Sequence, residues 1–161
     1  MSARLDRDAA WFNAFGDGHL PGLMGMRVTE VSEGLVRVEL AVRSDLMAPN
    51  GFLHAGTVVS LADTAAGYAC FAHLPQGAES FTTLELKANL MGTTRQGTIR
   101  AEARCVHLGR TTQVWDASCY AEGSDKPIAL FRCTQLVLWP RAGKDASSPV
   151  AKGLAELRAG A

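Results

Sequence analysis

The stretch Asn50–Phe71, NGFLHAGTVVSLADTAAGYACF, decides how this chain is read. It leaves a turn-rich loop, DLMAPNG, and from about His54 to Phe71 it shows no strand alternation and runs long enough for four helical turns. Pro75 and Gly77 then close the helix. In its middle stands one carboxylate, Asp63, among Val58, Val59, Leu61, Ala62, Ala65 and Ala66. Taking an ionised carboxylate out of water costs several kcal/mol unless partners compensate, so an acid in that company points to chemistry.

Upstream of this helix, Trp11, Phe12 and Phe15 fall at helical spacing within a segment from about Leu5 to Phe15, which Gly16, Gly18 and Pro21 end. Met26 to Val42 reads as a hairpin turned at Gly34, with Val36, Val38 and Leu40 alternating against Arg37 and Glu39. Downstream come four strands, Phe81 to Asn89, Gly97 to His107, Thr111 to Ala121 and Ile128 to Trp139, which read as a long antiparallel meander. Ile99, Ala101, Ala103 and Cys105 form a shallow inner face, repeated by Trp115, Ala117, Cys119 and Ala121, against which a helix can lie close. The expectation is an α+β arrangement, one apolar helix wrapped by an antiparallel sheet. Residues 1–25 are expected to form a helical lead-in and residues 26–139 the domain. Residues 140–161 are expected to form a flexible tail, with a short helix over Leu154 to Arg158.

With 161 residues, 47% hydrophobic and 20% charged, the chain suits one globular domain. Sixteen basic residues balance sixteen acidic ones, so no global field favours nucleic acid or an anionic membrane. Cys70, Cys105, Cys119 and Cys133 are widely spaced in apolar runs without a CxxC pair, which reads as buried free thiols in a reducing compartment. The first residues lack an apolar signal core, and no run reaches the roughly 20 residues of a membrane span. A soluble, cytoplasmic protein is expected. His19 and His73 lack acidic neighbours at ligand spacing, so no metal site is expected, and no nucleotide-binding glycine motif or G-x-S-x-G elbow is present.

The start of the central helix has its own physics. The N–H groups near His54, Ala55 and Gly56 lack intrahelical partners and carry the positive end of the helix dipole, so a developing oxyanion can sit against Ala55 or Gly56. An ordinary loop-to-helix junction has the same sequence. Asp63 lies nine positions after His54, roughly 13 Å along the same helix, and one small reacting centre cannot touch both ends. If the two act together they come from different subunits with antiparallel helices, which makes a homodimer a requirement of the site. Gly67 costs a helix interior about 1 kcal/mol relative to Ala, a cost understandable if a ligand, a partner helix or a close-packed sheet needs the space.

NGFLHAGTVVSLADTAAGYA, followed downstream by ALFRCTQLVL, resembles the signature of hotdog-fold acyl-CoA thioesterases of the PaaI-like (phenylacetate-pathway) branch, over about Leu20 to Leu138. The resemblance implies a sheet wrapping one helix, a coenzyme A thioester as substrate with no cofactor, and dimers paired into a homotetramer. It implies that Asp63 is the nucleophile or general base and that the N–H after the His, here Ala55, polarises the thioester carbonyl. Two positions depart from the pattern. HAG stands where relatives have HGG, and Ala48 stands where they carry Asn or Gln, so that Asn50 either substitutes or serves only the turn. His54 is read as supporting the helix start rather than as the base. Thr83 resembles a position where a hydroxyl places the attacking water, though a solvent-facing strand threonine reads the same way. Arg110 and Thr111 in HLGRTT resemble the turn beside the coenzyme A phosphates.

The activity expected is hydrolysis of small, medium-chain or aryl acyl-CoA. The rivals are a hydratase or dehydratase on acyl thioesters with His54 as base, and a non-catalytic acyl-CoA-binding module.

Overall fold

The structure, a computed structural model, describes residues 6–140. Helix α1, Ala9–Gly16, begins where the Asp8 carboxylate accepts the Trp11 N–H at 2.9 Å, several residues later than the spacing of Trp11, Phe12 and Phe15 alone suggests. Pro21 does not simply end that segment. It occupies the first turn of a second short helix, α2, Leu20–Met24, where a missing N–H costs nothing. The strands are β1, Arg27–Ser32; β2, Leu35–Ala41; β3, Ser80–Leu90; β4, Thr98–Leu108; β5, Thr112–Ala121; and β6, Pro127–Leu138. Between β2 and β3 lies helix α3, Ala55–Ala72, the one expected from the opening stretch. The helix expected over Leu154 to Arg158 lies outside the described residues.

The sheet is antiparallel in the order β1-β2-β4-β5-β6-β3. The expected meander therefore holds only for β4, β5 and β6. The 18 residues of α3 span roughly 27 Å, and they carry the chain across the concave face from β2, so that β3 lands beyond β6, four strand spacings or roughly 19 Å away. Strand alternation fixes which side chains face inward but not which strand is the neighbour.

Small residues let the layers approach. Ala65, Ala66 and Ala69 of α3 are fully buried over Ala101 and Ala103 of β4, with Ala117 of β5 and Ala129 of β6 at 1% exposure. The far end of α3 is pinned by a satisfied polar chain. His73 Nε2 accepts the Gly34 N–H at 2.8 Å and its Nδ1 donates to Ala69 O at 2.7 Å. The His73 carbonyl receives Gln113 Nε2, and Gln113 Oε1 receives the Trp115 indole N–H. Gly34 makes the β1–β2 turn at φ 68°, a conformation that a side chain would strain. This chain fixes α3 lengthwise on the sheet, and with it the position of Asp63. Among the described residues no helix is long and apolar enough to cross a membrane.

Candidate active site

At the start of α3, His54 is the N-cap, and its Nδ1 accepts the Gly56 N–H at 2.9 Å. Gly56 is glycine for a steric reason, since a Cβ there would sit 2.9 Å from that same Nδ1. Of the two amides expected to be available, that of Gly56 is engaged by the His54 ring, and that of Ala55 has no hydrogen-bond partner among the described residues. Ala55 is the first helical residue, and no non-glycine residue described has a positive φ, so alanine is accommodated in HAG without strain.

The loop before the helix is braced from several sides. His54 N–H reaches Leu46 O, Thr57 Oγ1 donates to the same carbonyl, and Leu53 N–H donates to Thr93 Oγ1. Arg95 Nε donates to Gly51 O, with the guanidinium over the Phe52 ring. Asn50 Oδ1 accepts the Phe52 N–H at 3.3 Å, the turn role that was one of its two readings.

Asp63 lies eight residues further along α3 than Ala55, so the two groups in one chain are roughly 12 Å apart. The carboxylate is half-buried, and its Oδ1 is buried without a hydrogen-bond partner among the described residues. Burial raises its pKa above the usual 3.8. It lines a pocket of about 160 Å³ with Thr83, Thr64, Gly67, Tyr68 and Phe81, walled at the far side by Phe15, Pro21 and Phe71. That volume is below the roughly 300–1,000 Å³ of a complete ligand site.

The pocket explains Gly67, where a Cβ would come within 3.1 Å of Phe81 Cζ; the close-packed sheet residue takes the space. Phe15 and Phe71 stack at 5.6 Å between centroids and 18° between planes. Tyr68, whose phenol burial pushes up to about 12, stays neutral at all physiological pH. Phe15, Pro21, Tyr68 and Phe81 were not among the expected site residues. Phe15 belonged to an amphipathic helix in the sequence, and nothing in its spacing says that α1 folds back over α3.

Thr83, exposed on the edge strand, also borders the Asp63 pocket, and its hydroxyl donates to Gln135 Oε1 at 2.9 Å on the neighbouring strand. Arg110 and Thr111 are elsewhere. Their turn sits where α3 ends, with Arg110 stacked over Trp139 and Thr111 O holding the Val137 N–H. In a single chain they are at the opposite end of the molecule from Ala55 and do not line the Asp63 pocket.

Comparison with known proteins identifies the family. The Thioesterase superfamily profile matches residues 50–128, which include both the helix start and Asp63. The 1,4-dihydroxy-2-naphthoyl-CoA hydrolase of Escherichia coli (strain K12) is 31% identical over 113 residues, 68% of this chain and 80% of that protein. The crystal structure of a variant of thioesterase PA1618 from Pseudomonas aeruginosa superposes with a TM-score of 0.79 at 31% identity, covering 84% of this chain and 97% of that one. The E. coli PaaI protein from the phenylacetic acid degradation operon gives a TM-score of 0.71 at 27% identity, over 81% and 94%. The chain belongs to the thioesterase superfamily, has the hotdog fold, and is a thioester hydrolase.

Proposed function

We propose that this protein hydrolyses acyl-CoA thioesters, with aryl acyl groups as its best substrates and small or medium-chain groups as weaker ones. The observation that carries the reading is Asp63, a half-buried carboxylate that lines an aromatic-walled pocket and whose Oδ1 is buried without a partner among the described residues. An acid left unpaired in apolar surroundings is poised to take a proton or attack a carbonyl. Phe15, Tyr68, Phe71 and Phe81 favour a planar acyl group, in keeping with the naphthoyl substrate named for the E. coli relative.

The thioester carbonyl docks on the Ala55 N–H, where the helix dipole and an open amide stabilise the developing oxyanion. Asp63 of a facing subunit supplies the nucleophile or activates water, coenzyme A thiolate leaves, and the acid is released. The two groups cannot meet within one chain, so the working unit is a homodimer.

β3 supports that assembly. It is an edge strand of 11 residues beside Asp63, and Leu84, Leu86, Leu90 and Met91 on or next to it are 44–56% exposed. A long apolar edge of this kind calls for a second copy to pair with it. Two such dimers form the tetramer that the family resemblance implies, and Arg110 and Thr111 then hold coenzyme A phosphates at the subunit boundary. His54 as base of a hydratase fits poorly, because its Nδ1 already caps Gly56.

A panel of acyl-CoA substrates followed with a chromogenic thiol reagent tests the reading. Thiol release is expected, highest with aryl groups, and lowered at least a hundredfold in Asp63→Asn. Hydration without free thiol, binding without turnover, or an active Asp63→Asn would each refute it.

A further inference from the structure

Gln135 is fully buried beneath α3, yet the mechanism above does not use it. It sits on β6 directly opposite Thr83 on β3, and just after Thr83 the β3 register slips, a bulge between Thr83 and Glu85. Bulges re-aim side chains beside active sites, and this one lies where the edge strand borders the Asp63 pocket. The Gln135 amide is fixed from both sides. Its Nε2 donates to Cys133 Sγ at 3.2 Å, and its Oε1 accepts the Thr83 hydroxyl at 2.9 Å.

A hydroxyl has one hydrogen to give. With that hydrogen held by Gln135, Thr83 Oγ1 can only accept from anything in the pocket. Asp63, when ionised, is also an acceptor only, and it lines the same pocket as Thr83. Two acceptors lining one small pocket suit a molecule with two hydrogens. We infer that Gln135 is a positioning residue: it locks Thr83 as a hydrogen-bond acceptor and so orients the water that the family resemblance implies at Thr83, shared with Asp63 and with its lone pair turned to the thioester carbon.

This deepens the proposed hydrolysis and rests on it. It assigns Asp63 the role of general base rather than nucleophile. The water oxygen forms the new C–O bond as one of its protons passes to Asp63. Collapse of the tetrahedral intermediate breaks C–S, and Asp63 returns that proton to the leaving thiolate. The second water proton stays on the carboxylic acid product until solvent takes it.

The test compares Gln135→Leu, Thr83→Val and the double variant, with Gln135→Met as a closer match in shape should the leucine variant not fold. Circular dichroism verifies the fold of each. Each single variant is expected to lower kcat by roughly ten- to a hundredfold with KM within about twofold, as for a misplaced reactant. The double variant should be no worse than the worse single one, because both changes break one device. Thr83→Ser, which keeps the hydroxyl, should lose less than Thr83→Val. An unchanged kcat in Gln135→Leu, or multiplying losses in the double variant, would overturn the inference. A crystal structure of the native protein gives a readout independent of turnover. A water within hydrogen-bond distance of both Asp63 and Thr83, gone in Gln135→Leu, supports the inference, and its absence from the native site overturns it. If the native protein releases no thiol from any acyl-CoA, the hydrolase reading fails by itself and the water decides the positioning role.

Discussion

The Gly56 N–H and His54 Nδ1 are joined by a 2.9 Å hydrogen bond, and that bond decides which amide at the start of α3 is open to a ligand. It also requires an unprotonated Nδ1, leaving the hydrogen of the neutral ring on Nε2. A side chain acting as cap is replaceable by another cap; a general base is not. His54→Asn, which keeps a capping acceptor, is expected to retain turnover within about tenfold, whereas His54→Ala should lose about 1 kcal/mol of stability and more activity. Parallel measurement of kcat and Tm distinguishes these outcomes, and equal inactivation by both substitutions would restore His54 to the role of base.

Burial raises the pKa of Asp63, so the folded protein binds this proton more tightly than the unfolded chain does. The ionised carboxylate therefore destabilises the fold once pH exceeds the ordinary aspartate range. Asp63→Asn should raise Tm at pH 7, by roughly 3 °C for each kcal/mol relieved, while turnover collapses. The acidic limb of kcat/KM in the native enzyme should lie above pH 3.8, the usual aspartate value. A Tm lowered by the substitution would contradict this account.

Ala55 offers a way to delete one backbone donor. It is the first residue of α3, where proline is tolerated, and His54 before it has φ −65° and ψ 135°, the conformation a following proline favours. Ala55→Pro removes the N–H with little cost to folding and should lower kcat by roughly a hundredfold. Mixing this variant with Asp63→Asn under subunit exchange should recover about a quarter of native activity, since half the dimers carry one intact site of two. No recovery after verified exchange would place both groups in one chain.

Gly67→Ala sets helix propensity against packing. Alanine gains about 1 kcal/mol in a helix interior. Its Cβ, however, lies 3.1 Å from Phe81 Cζ, and the ring must give by a few tenths of an ångström toward the pocket it lines. Tm is expected to stay level or rise slightly, while KM for aryl acyl-CoA rises several-fold. Steady-state kinetics beside calorimetry would show whether the ring moves into substrate space.

Burial holds His73 below its usual pKa of 6.5, against the opposing pull of its Ala69 hydrogen bond and the Glu33 charge. The fold favours the neutral ring, whose Nε2 must accept the Gly34 N–H. That contribution is complete above about pH 6.5 and declines as pH falls from there through the lower folded value, with a slope of up to about 1.4 kcal/mol per pH unit. Urea denaturation at pH 7.5 and at 5 should show the difference, and His73→Gln should flatten it.

Much of this fold was legible because it rests on local pattern. The opening stretch gave α3 to within a residue, and the alternation of Ile99, Ala101 and Ala103 gave the face it lies on. Strand order was not legible, because the neighbour of β3 depends on where an 18-residue crossover sets the chain down. Within the site, Asp63 stood out as a charge in apolar company. Gln135 did not, since a glutamine inside the apolar run of β6 reads as one polar position in a strand, and its partner Thr83 is 52 residues away. Phe15 was hidden by the same kind of distance.

In the proposed homodimer, with acid and amide on different chains, the rate depends on the protein's own abundance, because such a catalyst exists only while the chains remain paired. Below the dissociation constant of the dimer, activity per litre should therefore grow with the square of protein concentration, and dilution alone would switch the enzyme off.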